Sequence, residues 1–400
     1  MIPGEVWYVL LLAIAVLGAS RMFAAESPLL STGFGTDPVQ AGWTPEPGKN
    51  GAGAPLWCGE RGLAGRHCIT AADGGWASPQ FAVAPFEYYR LEFRSKAEGL
   101  GYWAIFCYDE KGNKLAADCH SSVFKSEDWL KHESCFRAHA KALKAQVSFI
   151  PIDGTRIWIA GVNVHKAEHA AAAEWADALY ATLPPLQYRP PAGRGAFILK
   201  AIEKLKSGKR LRILLLGDSI ANDTGNSPWD ALLERRYPGA RIEVVISVRG
   251  GTGCQYYKDE NRVKEYVLDF APDLVIIGGI SHGYDAEAMR SVVQQIRASC
   301  GAEVMIMTGP VANTQVCRSD FIKGAGEHAE QAAALAAAFP QRVQAMAAEE
   351  QCEFLDMRNV WDEYVKKAGQ PEDWFRRDPV HANDRGKQIL GLVLERYFTP

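Results

Sequence analysis

Several features that would indicate particular functions are missing from this sequence. It contains no Cys-x-x-Cys pair, and its nine histidines do not gather at the spacing of metal ligands, so a zinc site is not expected. Lysine and arginine together number 44, against 47 aspartate and glutamate residues, which gives a net charge of −3. Without a basic excess, the chain has no general attraction for nucleic acid or for an anionic membrane surface.

A long hydrophobic run is also missing. The apolar run at residues 6–17 is too short for a comfortable membrane span, and small residues follow it at 18–20 and 24–25. This pattern is typical of a signal peptide, so we expect residues 1–25 to be removed and the protein to be secreted or periplasmic. Because Glu5 stands where a lysine or arginine is usual, an uncleaved signal anchor remains an alternative.

Cysteine is present but gives little guidance. The nine cysteines are an odd number, which leaves at least one thiol unpaired. One or two disulfides would agree with export, and Cys58 with Cys68 is the first candidate pair. A set of buried free thiols is an equal alternative.

The length of 400 residues predicts two domains. Residues 28–168 contain short alternating strands, such as 88–94 and 157–164, with turns such as 109–114 between them and no helical periodicity. This pattern predicts an all-β antiparallel sandwich. It resembles the jelly-roll, galactose-binding-like modules of carbohydrate-active enzymes, which implies that this half could bind glycan.

Aromatic residues in the first half are candidates for stacking on sugar rings. The alternative is that they belong to the core of the sandwich, which is the more common place for tryptophan in a small β domain. The candidates are Trp57, Trp76, Trp103 and Trp129.

Residues 169–209 are predicted to connect the two domains. An alanine-rich, helix-prone stretch at 169–181 is followed by proline pairs at 184–185 and 190–191, which neither a helix nor a central strand would contain.

Residues 210–400 alternate between short apolar strands and amphipathic helices, which predicts a parallel sheet covered on both faces. The predicted strands are 212–216, 242–247, 274–277, 304–308 and 354–356. The predicted helices are 228–236, 261–270, 285–299, 326–338 and 385–397. Functional residues of such sheets lie at the carboxyl ends of the strands.

Two motifs in this half supply the side chains of a serine hydrolase. Gly-Asp-Ser-Ile at 217–220 follows the first strand, and Asp-Pro-Val-His at 378–381 precedes the last helix. A serine needs a base to remove its proton, and a carboxylate can fix the tautomer of a histidine base. We therefore predict Ser219 as nucleophile, His381 as base and Asp378 as its orienting group.

The two motifs and their spacing resemble those of the SGNH (GDSL-type) hydrolases, over about half of the chain. The resemblance implies a flavodoxin-like three-layer α/β/α fold and an oxyanion hole of three donors. The first is the N–H of Ser219, and the second is a glycine N–H after the second strand, with Gly253 as first choice and Gly250 as second. The family's usual third-block asparagine is absent, and Ser281 or His282 is expected to replace it.

Other residues near this edge are weaker candidates. Asn222 and Trp374 are predicted to contact substrate, and Asp223 and Arg377 are further possibilities, although each of them could be structural. No metal or organic cofactor is expected.

The resulting hypothesis is a serine esterase that removes acyl groups, in the first place acetyl groups, from a polysaccharide or oligosaccharide. Two alternatives remain. One is a lipid or short-chain carboxylesterase or thioesterase with an apolar acyl groove. The other is a catalytically weak or inactive glycan-binding protein, in which the altered third block marks a lost activity.

Overall fold

The computed structural model describes residues 27–48, 55–59, 62–152, 154–310, 319 and 322–399. The predicted signal peptide lies outside the described residues. The first half of the described chain is built from twelve strands, β1 to β12. Their bounds are Leu30–Thr32, Thr44–Pro47, Leu56–Cys58, Cys68–Ala71, Gly74–Ala77, Phe81–Ala82, Tyr88–Ala97, Gly101–Tyr108, Lys114–Val123, Ser126–Arg137, Lys144–Pro151 and Ile157–Ala167.

These strands form two antiparallel sheets with a shared core. One sheet has the order β10-β7-β12-β4-β3 with β1 paired to β12, and the other has the order β2-β5-β11-β8-β9 with β6 paired to β11. Strand β7 shows why the sheets pack, because Leu91 and Phe93 are buried while Arg90, Glu92 and Arg94 between them are partly exposed. A strand presents alternate side chains to opposite faces, so this pattern leaves one apolar face to cover.

The second half is an α/β domain with a five-stranded parallel sheet. Its strands β13 to β17 are Arg210–Gly217, Arg241–Val248, Leu274–Ile277, Glu303–Met307 and Glu353–Leu355. Their order is β14-β13-β15-β16-β17, which is 2-1-3-4-5 within the domain and is the flavodoxin-like order. The predicted fold class, an all-β antiparallel domain followed by an α/β domain, is confirmed.

Helices cover both faces of the parallel sheet. The described helices α1 to α10 are His169–Tyr180, Leu199–Lys206, Ser219–Gly225, Trp229–Arg236, Cys254–Tyr257, Arg262–Tyr266, Ala286–Ser299, Ala329–Glu349, Met357–Ala368 and Asp384–Phe398. In β13, Ile213 and Leu215 face the core that contains α2, α4 and α10. Leu214 and Leu216 face the core that contains α5, α7 and α8. The sheet is therefore buried on both sides, as its continuous apolar strands require.

Much of the segment assigned to a linker is packed. Ile198, Ala201 and Leu205 of the α2 region lie in the core of the α/β domain, so this core begins before residue 210. Helix α1 packs its alanines between Tyr88 of the β-sandwich and Leu232 of α4. The connection between the halves is thus a structural element of their interface.

A buried ion pair also joins the two halves. Arg137 from β10 lies 2.7 Å from the carboxylate of Asp230 in α4, and both side chains are almost fully buried. Tyr88 donates its hydroxyl to the same carboxylate. A buried charge left without its partner is costly, so these contacts favour one fixed arrangement of the two halves.

The described cysteines are free thiols in this structure. Cys58 and Cys68 nevertheless lie directly opposite each other on the paired strands β3 and β4. No helix in the described parts of the chain combines the length and hydrophobicity that a membrane crossing needs.

Candidate active site

Ser219 is the first residue of α3, immediately past the carboxyl end of β13. The preceding residue, Asp218, caps this helix, because its carboxylate accepts the N–H of Ile220 at 2.9 Å and that of Ala221 at 3.4 Å. Asp218 thereby satisfies two N–H groups that a helix start leaves open. The strand, the cap and the helix together present the Ser219 hydroxyl at the edge of the sheet where strands end.

Residues 377–382, between α9 and α10, form a tight loop that carries the other two predicted residues and is called the histidine loop below. The Asp378 carboxylate accepts the backbone N–H groups of Val380 and His381, both at 2.8 Å. Arg377 closes the loop by donating its N–H to the His381 carbonyl at 3.0 Å. These local bonds hold the imidazole and the carboxylate in one fixed relationship.

The structure brings the three predicted side chains together. His381 Nδ1 lies 2.9 Å from each carboxylate oxygen of Asp378, and His381 Nε2 lies 2.8 Å from Ser219 Oγ. A neutral imidazole donates through one nitrogen and accepts through the other. With Nδ1–H donated to the carboxylate, Nε2 is free to accept the proton of the serine hydroxyl.

Hydrogen bonds and charge determine the ionisation of Asp378. Burial raises its pKa, but the contacts with the His381 imidazole and with two backbone N–H groups outweigh burial, so the pKa lies below its ordinary value. The carboxylate is therefore ionised at neutral pH and can stabilise a protonated imidazole beside it.

Two backbone N–H groups near Ser219 are available to an oxyanion. Among the described residues, neither the N–H of Ser219 nor that of Gly253 has a hydrogen-bond acceptor. A Cβ atom on Gly253 would lie 2.1 Å from the Ser281 carbonyl oxygen, whereas one on Gly250 would meet open space. The close approach that requires glycine occurs at Gly253, which favours it over Gly250.

The loop after the third strand, residues 278–282, is hydrogen-bonded to Asp218, the residue before the nucleophile. The second carboxylate oxygen of Asp218 accepts the N–H groups of Ile280 and Ser281, both at 2.7 Å. Gly279 has φ of +103°, and a Cβ atom there would lie 2.4 Å from the Asp218 carboxylate. The half-buried Ser281 side chain has no hydrogen-bond partner within the described chain, so its hydroxyl is free to donate.

His282 does not fit its predicted role as an oxyanion donor. It is only 2% exposed. Its Nδ1 accepts the N–H of Cys254 at 3.2 Å, and its Nε2 donates to the Gly278 carbonyl at 3.1 Å. Burial lowers its pKa, so the ring is neutral and has no second N–H to offer. The histidine instead joins the loops that follow the second and third strands.

The two predicted substrate-binding residues also have other contacts. Asn222 is 4% exposed, and its Nδ2 donates to the carbonyl of Asp118 in the β-sandwich at 2.8 Å. Trp374 is half-buried, with the guanidinium of Arg385 4.1 Å above its ring and Phe375 packed edge-on. Asn222 therefore belongs to the domain interface, and Trp374 to the support of the histidine loop.

Two of the four tryptophans considered for sugar stacking are core residues. Trp76 and Trp103 are buried between the two sheets of the β-sandwich. Trp57 is 40% exposed and stacks on His67 with ring centres 5.0 Å apart, and Trp129 is half-buried. Trp57 and Trp129 are the remaining candidates for contact with a ligand.

Among the residues that support the site, Tyr102 was not predicted from the sequence, and Asp223 and Arg377 were considered only as substrate contacts. Tyr102 of the β-sandwich places its hydroxyl 3.5 Å from Asp378 Oδ2, and nothing in the local sequence around Tyr102 signals this. Asp223 binds Arg377, the neighbour of Asp378. The spacing of Asp223, four residues after Ser219, is a signal that was available, because such residues share one helix face.

A cavity of about 250 Å³ lies behind the loop at residues 278–282. Its described lining combines the charged residues Asp356, Arg358 and Asp362 with apolar ones. The apolar residues include Ile280, Met289, Met307, Phe339 and Val343. Within the described residues, no group of three or more histidine, cysteine or acidic side chains is arranged to hold a metal ion.

Part of the chain matches the model of a known protein family. Residues 215–389 match the model of the GDSL-like lipase/acylhydrolase family. None of the curated proteins compared with the sequence matches it.

Parts of the chain are similar to solved structures at low identity. A two-domain esterase (CEX) active on acetylated mannans is 18% identical with a TM-score of 0.38, over 51% of this chain and 52% of that one. Axe2, an acetylxylan esterase from Geobacillus stearothermophilus, is 19% identical with a TM-score of 0.36, over 47% and 94%. The enzymatically active domain of tailspike protein 4 of bacteriophage CBA120 is 15% identical with a TM-score of 0.31, over 35% and 21%. This chain thus spans about a fifth of the tailspike domain and about half of the two-domain esterase.

Proposed function

Because residues 215–389 form a GDSL-like lipase/acylhydrolase domain, we propose that the protein is an exported serine esterase that removes acetyl groups from carbohydrate. The observation that supports this proposal most is the continuous contact from Asp378 through His381 to Ser219, with 2.9 Å on one side of the imidazole and 2.8 Å on the other. Such a chain activates a serine that would otherwise be a poor nucleophile.

In the proposed first half of the reaction, Ser219 Oγ attacks the acyl carbon of the substrate while His381 Nε2 takes the hydroxyl proton. The carbonyl oxygen becomes an oxyanion, which the N–H groups of Ser219 and Gly253 and the hydroxyl of Ser281 can bind. Collapse of this intermediate breaks the ester bond, and the imidazolium returns its proton to the departing sugar hydroxyl.

In the second half, water takes the place of the alcohol. His381 removes a proton from the water, whose oxygen attacks the acyl group on Ser219, and the same donors bind the second oxyanion. The acid then leaves and Ser219 recovers its proton from the imidazolium. Asp378 stays ionised throughout and holds the imidazole in the productive tautomer.

The carbohydrate substrate is proposed from the β-sandwich domain that accompanies the acylhydrolase domain. An all-β sandwich whose strand pattern resembles glycan-binding modules precedes it, and Trp57 offers an exposed aromatic surface there. Export would bring the enzyme to polysaccharides outside the cell. Domain architecture alone does not specify a substrate, and acetate release measures it directly.

The direct test is acetate release from a panel of acetylated xylan, acetylated mannan and pectin, with the wild type beside Ser219→Ala. The proposal expects release from at least one polymer by the wild type alone. Labelling with a fluorophosphonate probe should modify the wild type and not Ser219→Ala. A wild type that does not label would favour the alternative of an inactive glycan-binding protein.

Export needs a separate test. The full chain and a chain that starts at residue 26 are produced in a bacterial host, and the protein in each compartment is measured. The proposal expects export of the full chain alone, with a mature N-terminus near residue 26.

One observation favours a second candidate, an esterase for longer acyl chains. The cavity of about 250 Å³ is lined in part by Gly279 and Ile280, which precede the proposed oxyanion donor Ser281, and its apolar residues could hold an alkyl chain. Nitrophenyl esters of increasing chain length separate the two candidates. A sharp preference for acetate supports the carbohydrate esterase, and a preference for longer chains supports the second candidate.

A further inference from the structure

Strand β9 is the outer strand of its sheet, so one of its sides has no neighbouring strand to bind its backbone groups. The α/β domain covers this side. The Asp118 carbonyl of β9 accepts hydrogen bonds from Asn222 Nδ2 and from Asn226 Nδ2, both at 2.8 Å. Asn222 lies in the middle of α3 and Asn226 follows that helix directly, so the middle and the end of α3 are bound to the β-sandwich.

A second helix is bound to the same strand. Lys387 of α10 donates its ammonium group to the His120 carbonyl of β9. Asp384, the first residue of α10, donates its N–H to Ser121 Oγ at 3.0 Å. The Lys387 side chain is almost fully buried, and its charge is balanced by the Asp384 carboxylate at 3.5 Å. Because the ammonium group is buried, losing this acceptor would leave a charged donor unpaired, so the contact is strongly favoured.

One of these helices begins with Ser219, and the other directly follows the loop that carries His381. Ser219 is the first residue of α3 and lies three residues before Asn222, while His381 lies three residues before Asp384. Three residues of one strand, Asp118, His120 and Ser121, are therefore bonded to the segments that follow Ser219 and His381. No residue of β9 has to touch the substrate for this arrangement to affect the reaction.

We propose that β9 acts as a brace that holds the nucleophile helix and the histidine loop at the separation needed for proton transfer. The proposal rests on the proposed function, and it makes Asn222 and Lys387 positioning residues. The β-sandwich then contributes to catalysis itself, in addition to any contact that it makes with glycan. Misplacing a reacting group by about 1 Å costs about 100-fold in rate, so loss of the brace should reduce turnover far more than binding.

The test uses the full chain with two independent variants, Lys387→Met and Asn222→Ala. Lys387→Met keeps the apolar stem and removes the donors, and Lys387→Arg is the conservative variant that can still reach the carbonyl. Tyr88→Phe is the matched control, because it removes a buried hydrogen bond between the two halves through α4 rather than α3 or α10. All proteins are compared at least 15 °C below their melting temperatures, so that the folded fraction is equal.

Two readouts separate positioning from a general loss of stability. The first is the rate of Ser219 labelling by a fluorophosphonate, and the second is kcat and KM for nitrophenyl acetate. We expect Lys387→Met and Asn222→Ala each to lower the labelling rate and kcat by about 10- to 100-fold with KM changed less than twofold. Lys387→Arg should recover most of the loss, and Tyr88→Phe should stay within about threefold of the wild type.

A labelling rate within threefold of the wild type in both variants would overturn the proposal. An equal loss in Tyr88→Phe would also overturn it, since the effect would then belong to domain contact in general. Labelling requires no carbohydrate, so an incorrect substrate class leaves this comparison unaffected.

Discussion

Asp223 binds Arg377 with both carboxylate oxygens 2.9 Å from the same guanidinium nitrogen, and both side chains are buried. The pair joins the helix that begins at Ser219 to the loop that carries Asp378. Asp223 also accepts the N–H of Ala382, the residue after His381, at 2.9 Å. A single carboxylate, one helical turn from the nucleophile, therefore holds both ends of the histidine loop.

Asp223→Ala is expected to be strongly destabilising, because it leaves the guanidinium of Arg377 buried without its partner. The free energy of unfolding should fall by about 3–5 kcal/mol, as measured by urea denaturation. The control is Asp177→Ala, which removes an exposed partner of Arg235 and should cost at most about 1 kcal/mol. Equal losses in the two variants would contradict this role for Asp223.

Gly253→Ala is expected to reduce activity by about 10²- to 10³-fold, the usual effect of losing one oxyanion donor. The added methyl group would meet the Ser281 carbonyl and displace the backbone that carries the N–H. Gly250→Ala is the matched control, because its methyl group enters open space, and its activity should stay close to that of the wild type. Initial rates with nitrophenyl acetate test this pair, and a similar loss in both variants would speak against Gly253 as a donor.

Ser281→Ala should lower turnover, whereas His282→Ala should lower the stability of the fold. Loss of the Ser281 hydroxyl should lower kcat by about 10- to 10³-fold without a change in melting temperature, if it is the third oxyanion donor. His282→Ala leaves the buried Cys254 N–H and the buried Gly278 carbonyl without their hydrogen-bond partner. Each unpaired group should lower the free energy of unfolding by about 1–3 kcal/mol. Thermal unfolding and kcat are measured on both variants, and wild-type kcat in Ser281→Ala would remove this side chain from the mechanism.

Asp378→Asn is expected to lower kcat by up to about 10⁴-fold, since the amide cannot hold the imidazole in the productive tautomer. The pKa of Asp378 is lowered in the folded protein, so its ionised form contributes stability above the ordinary carboxyl pKa of about 3.9. This contribution is lost as pH falls through the lower folded pKa. Denaturant unfolding should therefore show a gap between wild type and variant at pH 7 that narrows below about pH 4. A constant gap would contradict the lowered pKa.

His139 should make the contact between the two halves sensitive to acid. Its ring donates to the Ile246 carbonyl at 3.1 Å, and burial lowers its pKa to about 4. Between pH 6.5 and pH 4, His139 binds a proton in the unfolded chain but not in the folded chain. The free energy of unfolding therefore falls by about 1.4 kcal/mol for each unit by which pH is lowered in this range. His139→Gln keeps a donor for the carbonyl and does not titrate. Urea unfolding at pH 5, 6 and 7 gives the free energy of unfolding as a function of pH, and its slope should be smaller in His139→Gln than in the wild type by about that amount. An unchanged slope would exclude His139 as the source of the pH dependence.

The sequence was sufficient for the order of the domains and for most elements of the parallel sheet. Two helices differ from their predictions. The helix predicted at 261–270 ends at Tyr266, and a separate 3₁₀ turn follows at Leu268–Phe270. The helix predicted to end at 338 continues through Pro340 to Glu349. Proline costs a helix about 3 kcal/mol, and burial of Val343 and Met346 beyond it outweighs that cost.

What the sequence by itself determined is local. Alternation of apolar residues specified strands, and residues three apart in Asp378 and His381 could bind each other across one short loop. The tertiary structure alone decided which distant groups meet. It turned Asn222 toward Asp118, used both nitrogens of His282 on backbone groups, and set β9 against two helices. These contacts join residues far apart in the chain, and local steric rules and periodicity do not specify how two packed domains are oriented.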